Sequence, residues 1–169
     1  LRTITNIGAY GPELFFIITG YLATLELSRS RESTLKYYYK RAIRILPLYY
    51  LVTLFYFITE SFIWGSLPEG ATLWGWLREV FLLNGFVNMG NWVNMGGTWS
   101  IHIFVAFYLI APFLFKLVKT FRCSVILFAI SYMLMRITMY YGNGWLNIFV
   151  YFPYFVMGIM ILFAEKQKK

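Results

Sequence analysis

Residues 98–118 read TWSIHIFVAFYLIAPFLFKLV, and Lys116 is the one charged side chain among them. A hydrocarbon core of about 30 Å needs about 20 apolar residues wound as helix, so this stretch is long enough to cross a bilayer. Working outward from it, four further segments reach that length: about 9–27, 43–64, 123–141 and 145–164. A shorter candidate, LWGWLREVFLLNGF at 73–86, is interrupted by Arg78 and Glu79, which predicts an interfacial or re-entrant piece rather than a crossing. The composition agrees. The chain is 60% hydrophobic and 13% charged, with a mean hydropathy of +0.63, more apolar surface than 169 residues of soluble domain could bury. Aromatics at 22% suit a protein with two membrane interfaces. The expected fold is an all-α integral membrane protein, a bundle of about five transmembrane helices plus one short re-entrant or interfacial segment. It is expected to form a single membrane domain over 1–169.

The basic residues orient that bundle. Arg29, Arg31, Lys36, Lys40, Arg41 and Arg44 lie between the first two spans. Lys116, Lys119 and Arg122 lie between the third and fourth, and Lys166, Lys168 and Lys169 follow the fifth. These twelve of the fifteen Lys and Arg share one side if 73–86 does not cross, and the positive-inside rule makes that side cytoplasmic. The N-terminus is then outside and the C-terminus inside. With Leu1 and no signal peptide at the front, an N-out start suggests that another span precedes the chain. A net charge of +8 is explained by this asymmetry, with no nucleic-acid partner required. One cysteine, Cys123, and one histidine, His102, argue against a disulfide or a metal site.

Candidate chemistry gathers at a few positions. In YYYKRAIRILPLYY (37–50), Arg41 and Arg44 are three residues apart, with Lys36 and Lys40 continuing that side. Pro47 leaves the Ile43 carbonyl without its helical donor. Guanidiniums beside exposed backbone suit a phosphate, and the same residues also serve as cytoplasmic anchors. Glu13, in GAYGPELFFIITGYL, and Arg136, mid-span in ISYMLMRITMYY, are intramembrane charges expected to face the bundle or water. Each is a candidate partner for the other. Gly8, Gly11 and Gly20 allow close helix approach. In the third span Trp99 fits an interfacial belt, and Tyr108 and Pro112 follow it. His102 is a candidate general base, with no carboxylate near it in sequence. The stretch 65–97, rich in Gly, Asn and Trp, fits either a lid or an ordered aromatic belt, and 28–42 reads as the other extramembrane connection.

Together these stretches resemble the membrane-bound acyltransferase 3 family. GPELFFIITGYL is similar to its G-x-D-L-F-F-x-x-S-G-F/Y-L span through Gly11, Glu13, Phe15, Phe16, Thr19 and Gly20. YYYKRAIRILPLYY resembles F-x-x-R-R-x-x-R-I-x-P-x-Y through Arg41, Arg44, Ile45, Pro47 and Tyr49. TWSIHIFVAFYLIAP resembles W-S-L-x-x-E-x-x-F-Y-x-x-x-P through Trp99, Ser100, Phe107, Tyr108 and Pro112, and FPYFVMGIMI (152–161) resembles a later P-x-F-x-x-G span. Phe104 stands where many members have Glu, Glu13 replaces Asp and Thr19 replaces Ser.

The resemblance implies that an acyl group, expected to be acetyl, passes from a cytoplasmic acyl-CoA donor. The acceptor would be a hydroxyl of a cell-surface glycan or lipid-linked sugar. It implies a bacterial inner-membrane location, a donor site at Arg41 and Arg44 with Lys40 beside them, and supporting positions at Trp99 and Tyr108; Arg136, as an intramembrane charge, is a further supporting candidate. The family's catalytic histidine would lie upstream of Leu1, so the chain is expected to be partial and inactive by itself, with Glu13 and His102 as weaker catalytic candidates. A polysaccharide transporter or flippase subunit and a non-catalytic scaffold are the competing expectations.

Overall fold

The computed structural model describes residues 11–29, 33–64, 73–83, 99–141 and 147–167. Among them are six helices and no strand: α1 (Gly11–Arg29), α2 (Thr34–Trp64), α3 (Leu73–Val80), α4 (Trp99–Leu117), α5 (Phe121–Tyr141) and α6 (Ile148–Gln167). This is an all-α membrane protein, and each of the five expected spans falls on a helix. By length and composition α4, α5 and α6 are apolar enough to cross a bilayer. Both α1, with Glu13 and Glu26, and α2, with its tyrosines, are less apolar, and their crossing stays part of the proposed topology. At eight residues, α3 spans about 12 Å and is too short to cross, as its two charges implied.

The 28–42 connection is mostly helix, a correction to its reading as a loop. Ser33 caps α2: its carbonyl accepts the Tyr37 amide at 3.1 Å and its hydroxyl the Lys36 amide at 3.4 Å. Satisfying orphan amides lets the helix start nine residues before the apolar run. The resulting 31-residue helix is about 46 Å long, longer than the hydrocarbon is thick, so its basic first turns extend beyond the span. It continues through Pro47 without interruption.

The described residues fall into two compact units, with the division inside α4 between Ala106 and Phe107. One holds α1, the second half of α4, α5 and α6. Its core is aromatic: the Phe155 ring lies 4.9 Å from that of Phe16 and stacks on Phe107 at 4.0 Å and 9°. All three side chains are fully buried. Such contact requires α1 and α6 to approach closely, and two glycines permit it. A Cβ on Gly20 would overlap the Phe155 carbonyl oxygen. One on Gly158 would lie 2.5 Å from the Tyr21 amide nitrogen and closer still to the Ile17 carbonyl. Without lipid-driven apolar attraction between helices, such small-residue crossings supply the packing. Of the glycines expected to do this, Gly20 does, Gly11 meets nothing within 4 Å, and Gly8 lies outside the described residues. The Tyr21 hydroxyl donates to Glu165 at 2.9 Å near the far end of the same helix pair.

The other unit holds α2, α3 and the first half of α4. Most of the 65–97 stretch, with its lid and belt readings, lies outside the described residues; α3 and the turn after it are the exception.

Candidate functional site

On α2 the buried residues, among those described, are spaced by multiples of four positions. Tyr37, Tyr49 and Thr53 are buried, and Arg41 and Ile45 between them are half-buried. A four-residue step advances slightly more than one helical turn, so these five form one gently winding stripe. Arg41 belongs to it, with its guanidinium carbon 5.4 Å from the centre of the Tyr37 ring, a cation–π distance. Lys40 and Arg44 lie off the stripe and are exposed. The expected donor residues therefore occupy one end of α2 but differ in setting: Arg41 is half-buried beside the Tyr37 ring, and its two neighbours are exposed.

Two turns further along the stripe, Tyr49 sits in a polar cluster with Glu79 of α3 and His102 of α4. Its hydroxyl lies 2.5 Å from Glu79 Oε1 and 3.1 Å from His102 Nε2, and Nε2 is 3.5 Å from the same carboxylate oxygen. None of the three is more than 1% exposed. The short contact commits the phenol proton to the carboxylate, so the phenol oxygen meets Nε2 as an acceptor. A carboxylate without water must be hydrogen-bonded to be tolerated, and the Tyr49 hydroxyl supplies that bond.

A second tyrosine hydroxyl helps finish α3. The last carbonyls of a helix have no intrahelical donor; here the Glu79 carbonyl accepts the Leu82 amide at 3.0 Å and the Val80 carbonyl accepts the Tyr50 hydroxyl at 2.7 Å. Beyond them the chain turns sharply at Leu82, whose φ of 56° is strained for a side chain of that size. Leu82 is nonetheless buried. The short helix is thus pinned at the end that carries Glu79, and its position fixes the carboxylate.

The remaining candidates lie elsewhere. Trp99 starts α4 in the same unit as His102, half-buried. Tyr108 is half-buried in the other unit, where its ring neighbours Phe107 at 6.1 Å. Glu13 occupies the first turn of α1, where a carboxylate complements the helix dipole; its Oε2 is buried without a hydrogen-bond partner. Arg136 is exposed on α5, five residues from its end, within reach of the interface for a long cationic side chain. No ion pair joins it to Glu13 among the described residues.

Sequence reading missed Glu79 as a partner of His102, and Tyr49 as the link between them. The available signals were a carboxylate inside a short apolar segment and a tyrosine at the end of the Arg-Pro-Tyr pattern.

A family model described as an acyltransferase domain matches residues 1–169. No match was found among curated proteins or among solved structures.

Proposed function

The chain belongs to the acyltransferase 3 family, and on that premise we propose that it moves an acetyl group from cytoplasmic acetyl-CoA to a hydroxyl of a surface glycan or lipid-linked sugar. The observation that carries this reading is the buried His102–Tyr49–Glu79 cluster, about 12 Å along α2 from Arg41. A cationic end of α2, and an acid–base group that the same helix meets through Tyr49, are the two things acyl transfer from a phosphate-bearing donor needs.

In this scheme Arg41, Arg44 and Lys40 take the donor's phosphates. Arg41 is the most constrained of the three, and a constrained guanidinium loses less entropy on binding. The acceptor hydroxyl gives its proton to His102 as its oxygen attacks the thioester carbonyl. The C–S bond then breaks and the departing thiolate takes the proton back, leaving an ester and free CoA. Glu79, bridged by Tyr49, balances the positive charge that forms on the imidazole. It brings a carboxylate to α4, where position 104 is phenylalanine. In this reading, which the charge asymmetry supports, the start of α2 and the C-terminal end of α6 face the cytoplasm.

Kinetics separate the two halves of this site. Arg41→Ala is expected to raise the KM for acetyl-CoA about tenfold or more, the worth of one charge-assisted phosphate contact, and to leave kcat within a few-fold. Transfer measured in native membranes across donor concentrations checks it. An unchanged donor KM removes Arg41 from the donor site.

A further inference from the structure

At the other end of the α4/α5/α6 unit, the chain makes a cavity that the acyl-transfer scheme does not use. Its volume is about 660 Å³. The turn from α4 into α5 is tight: the Val118 amide donates to Leu114 at 2.8 Å, and Thr120 caps α5 by accepting the Cys123 amide on its hydroxyl at 3.2 Å. This turn brings Lys116 and Lys119 beside the last turns of α6, which supply Lys166. Phe115, Phe121 and Phe163 form the apolar part of the wall.

All three lysines are exposed, and no carboxylate pairs with any of them among the described residues. The acid next to Lys166 is occupied elsewhere, since Glu165 accepts the Tyr21 hydroxyl at 2.9 Å. The ammonium group of Lys166 rests 5.6 Å from the ring centre of Phe163 in the cavity wall, and that of Lys116 lies 6.0 Å from that of Phe113, just outside it. The positive end of the α5 dipole adds to the same field.

We infer that this cavity is a binding site for the phosphate headgroup of an anionic phospholipid. Three cations without a carboxylate partner, lining a cavity with an aromatic wall, match a ligand that is anionic at one end and apolar at the other. The position matches too, because these lysines stand at the ends of α4 and α6, two helices apolar enough to cross the bilayer. Basic pockets between such helix ends are where lipid headgroups bind. A soluble anion would gain nothing from the phenylalanines. The inference rests on the membrane placement and not on the donor assignment at Arg41.

The test uses the intact protein in a neutral detergent and reads its thermal unfolding as phosphatidylglycerol is added, with phosphatidylcholine, inorganic phosphate and coenzyme A as parallel additions. Phosphatidylglycerol is expected to raise the unfolding temperature where phosphatidylcholine does not. Combining Lys116→Gln, Lys119→Gln and Lys166→Gln should weaken that half-saturation by about tenfold or more. The corresponding Lys→Arg triple variant, which keeps the charges, should retain it. Equal protection of wild type and the glutamine variant overturns the site, as does equal protection by the two lipids. If inorganic phosphate protects as well as the lipid, or if coenzyme A protects wild type but not the glutamine variant, the cavity takes a soluble anion and the lipid assignment is wrong. Since the readout is unfolding and not acyl transfer, loss of the proposed activity would leave this test intact.

Discussion

His102→Gln is expected to lower kcat for acyl transfer by about 10²- to 10⁴-fold, the range a positioned general base supplies, with the donor KM unchanged. Glutamine keeps a hydrogen-bonding side chain of similar reach but cannot take a proton. Tyr49→Phe should fall between wild type and His102→Gln. It removes the hydroxyl that sits 2.5 Å from Glu79 and 3.1 Å from His102, leaving the carboxylate and imidazole to face each other at 3.5 Å. A structural role alone would give a different signature. The protein would then unfold more readily, because a buried polar group left unpaired costs about 1–3 kcal/mol, while kcat per folded molecule stayed constant. Transfer rates normalised to folded protein therefore decide the matter. Full normalised activity in His102→Gln would exclude His102 as the base.

The largest stability effect is expected at Gly158. Gly158→Val places a branched side chain where even a Cβ would overlap the Ile17 carbonyl and come 2.5 Å from the Tyr21 nitrogen. These are backbone atoms and cannot rotate aside, so α1 and α6 must separate. Separation would break the Phe16–Phe155 contact and the Tyr21–Glu165 hydrogen bond. Overpacking of flexible cores costs about 1–3 kcal/mol, and here the loss should reach or exceed about 3 kcal/mol because relief must come from moving a helix. Gly11→Ala is the control: nothing stands within 4 Å of its added Cβ, and it should stay within about 0.5 kcal/mol of wild type. Thermal unfolding in detergent reads both, and equal stability of the two variants would show that the close crossing is not what holds α1 against α6.

Much of the helical arrangement could be read from residue order, because a bilayer demands long apolar runs and punishes charge. Glu79 and Arg78 stopped 73–86 from being read as a span, and α3 is indeed a single short helix. The start of α2 was missed because Ser33 is one polar residue in a charged stretch, and its capping role depends on where the helix begins. Arg41 and Arg44 illustrate a finer limit. Three-residue spacing puts both on one side of a helix, yet it does not say which of them turns toward the protein. The four-residue ladder Tyr37, Arg41, Ile45, Tyr49 and Thr53 carries that information, but it becomes apparent only when the buried members are known. His102 and Glu79 were each visible as ionisable residues in apolar surroundings, the usual mark of a functional position. Their meeting was not visible. It depends on a short helix held by the Tyr50 hydroxyl at its last carbonyl and by Tyr49 at its carboxylate, and no local pattern encodes contact between groups on separate helices.

The most direct test is incorporation of label from radioactive acetyl-CoA into glycan by inverted membrane vesicles, compared between vesicles with and without this protein. Label should appear in the glycan only with the protein present and be released by mild alkali, as an ester must be. Glycan label no higher than in vesicles lacking the protein would contradict acetyl transfer to a glycan, and with it the roles proposed for Arg41 and His102 in that reaction.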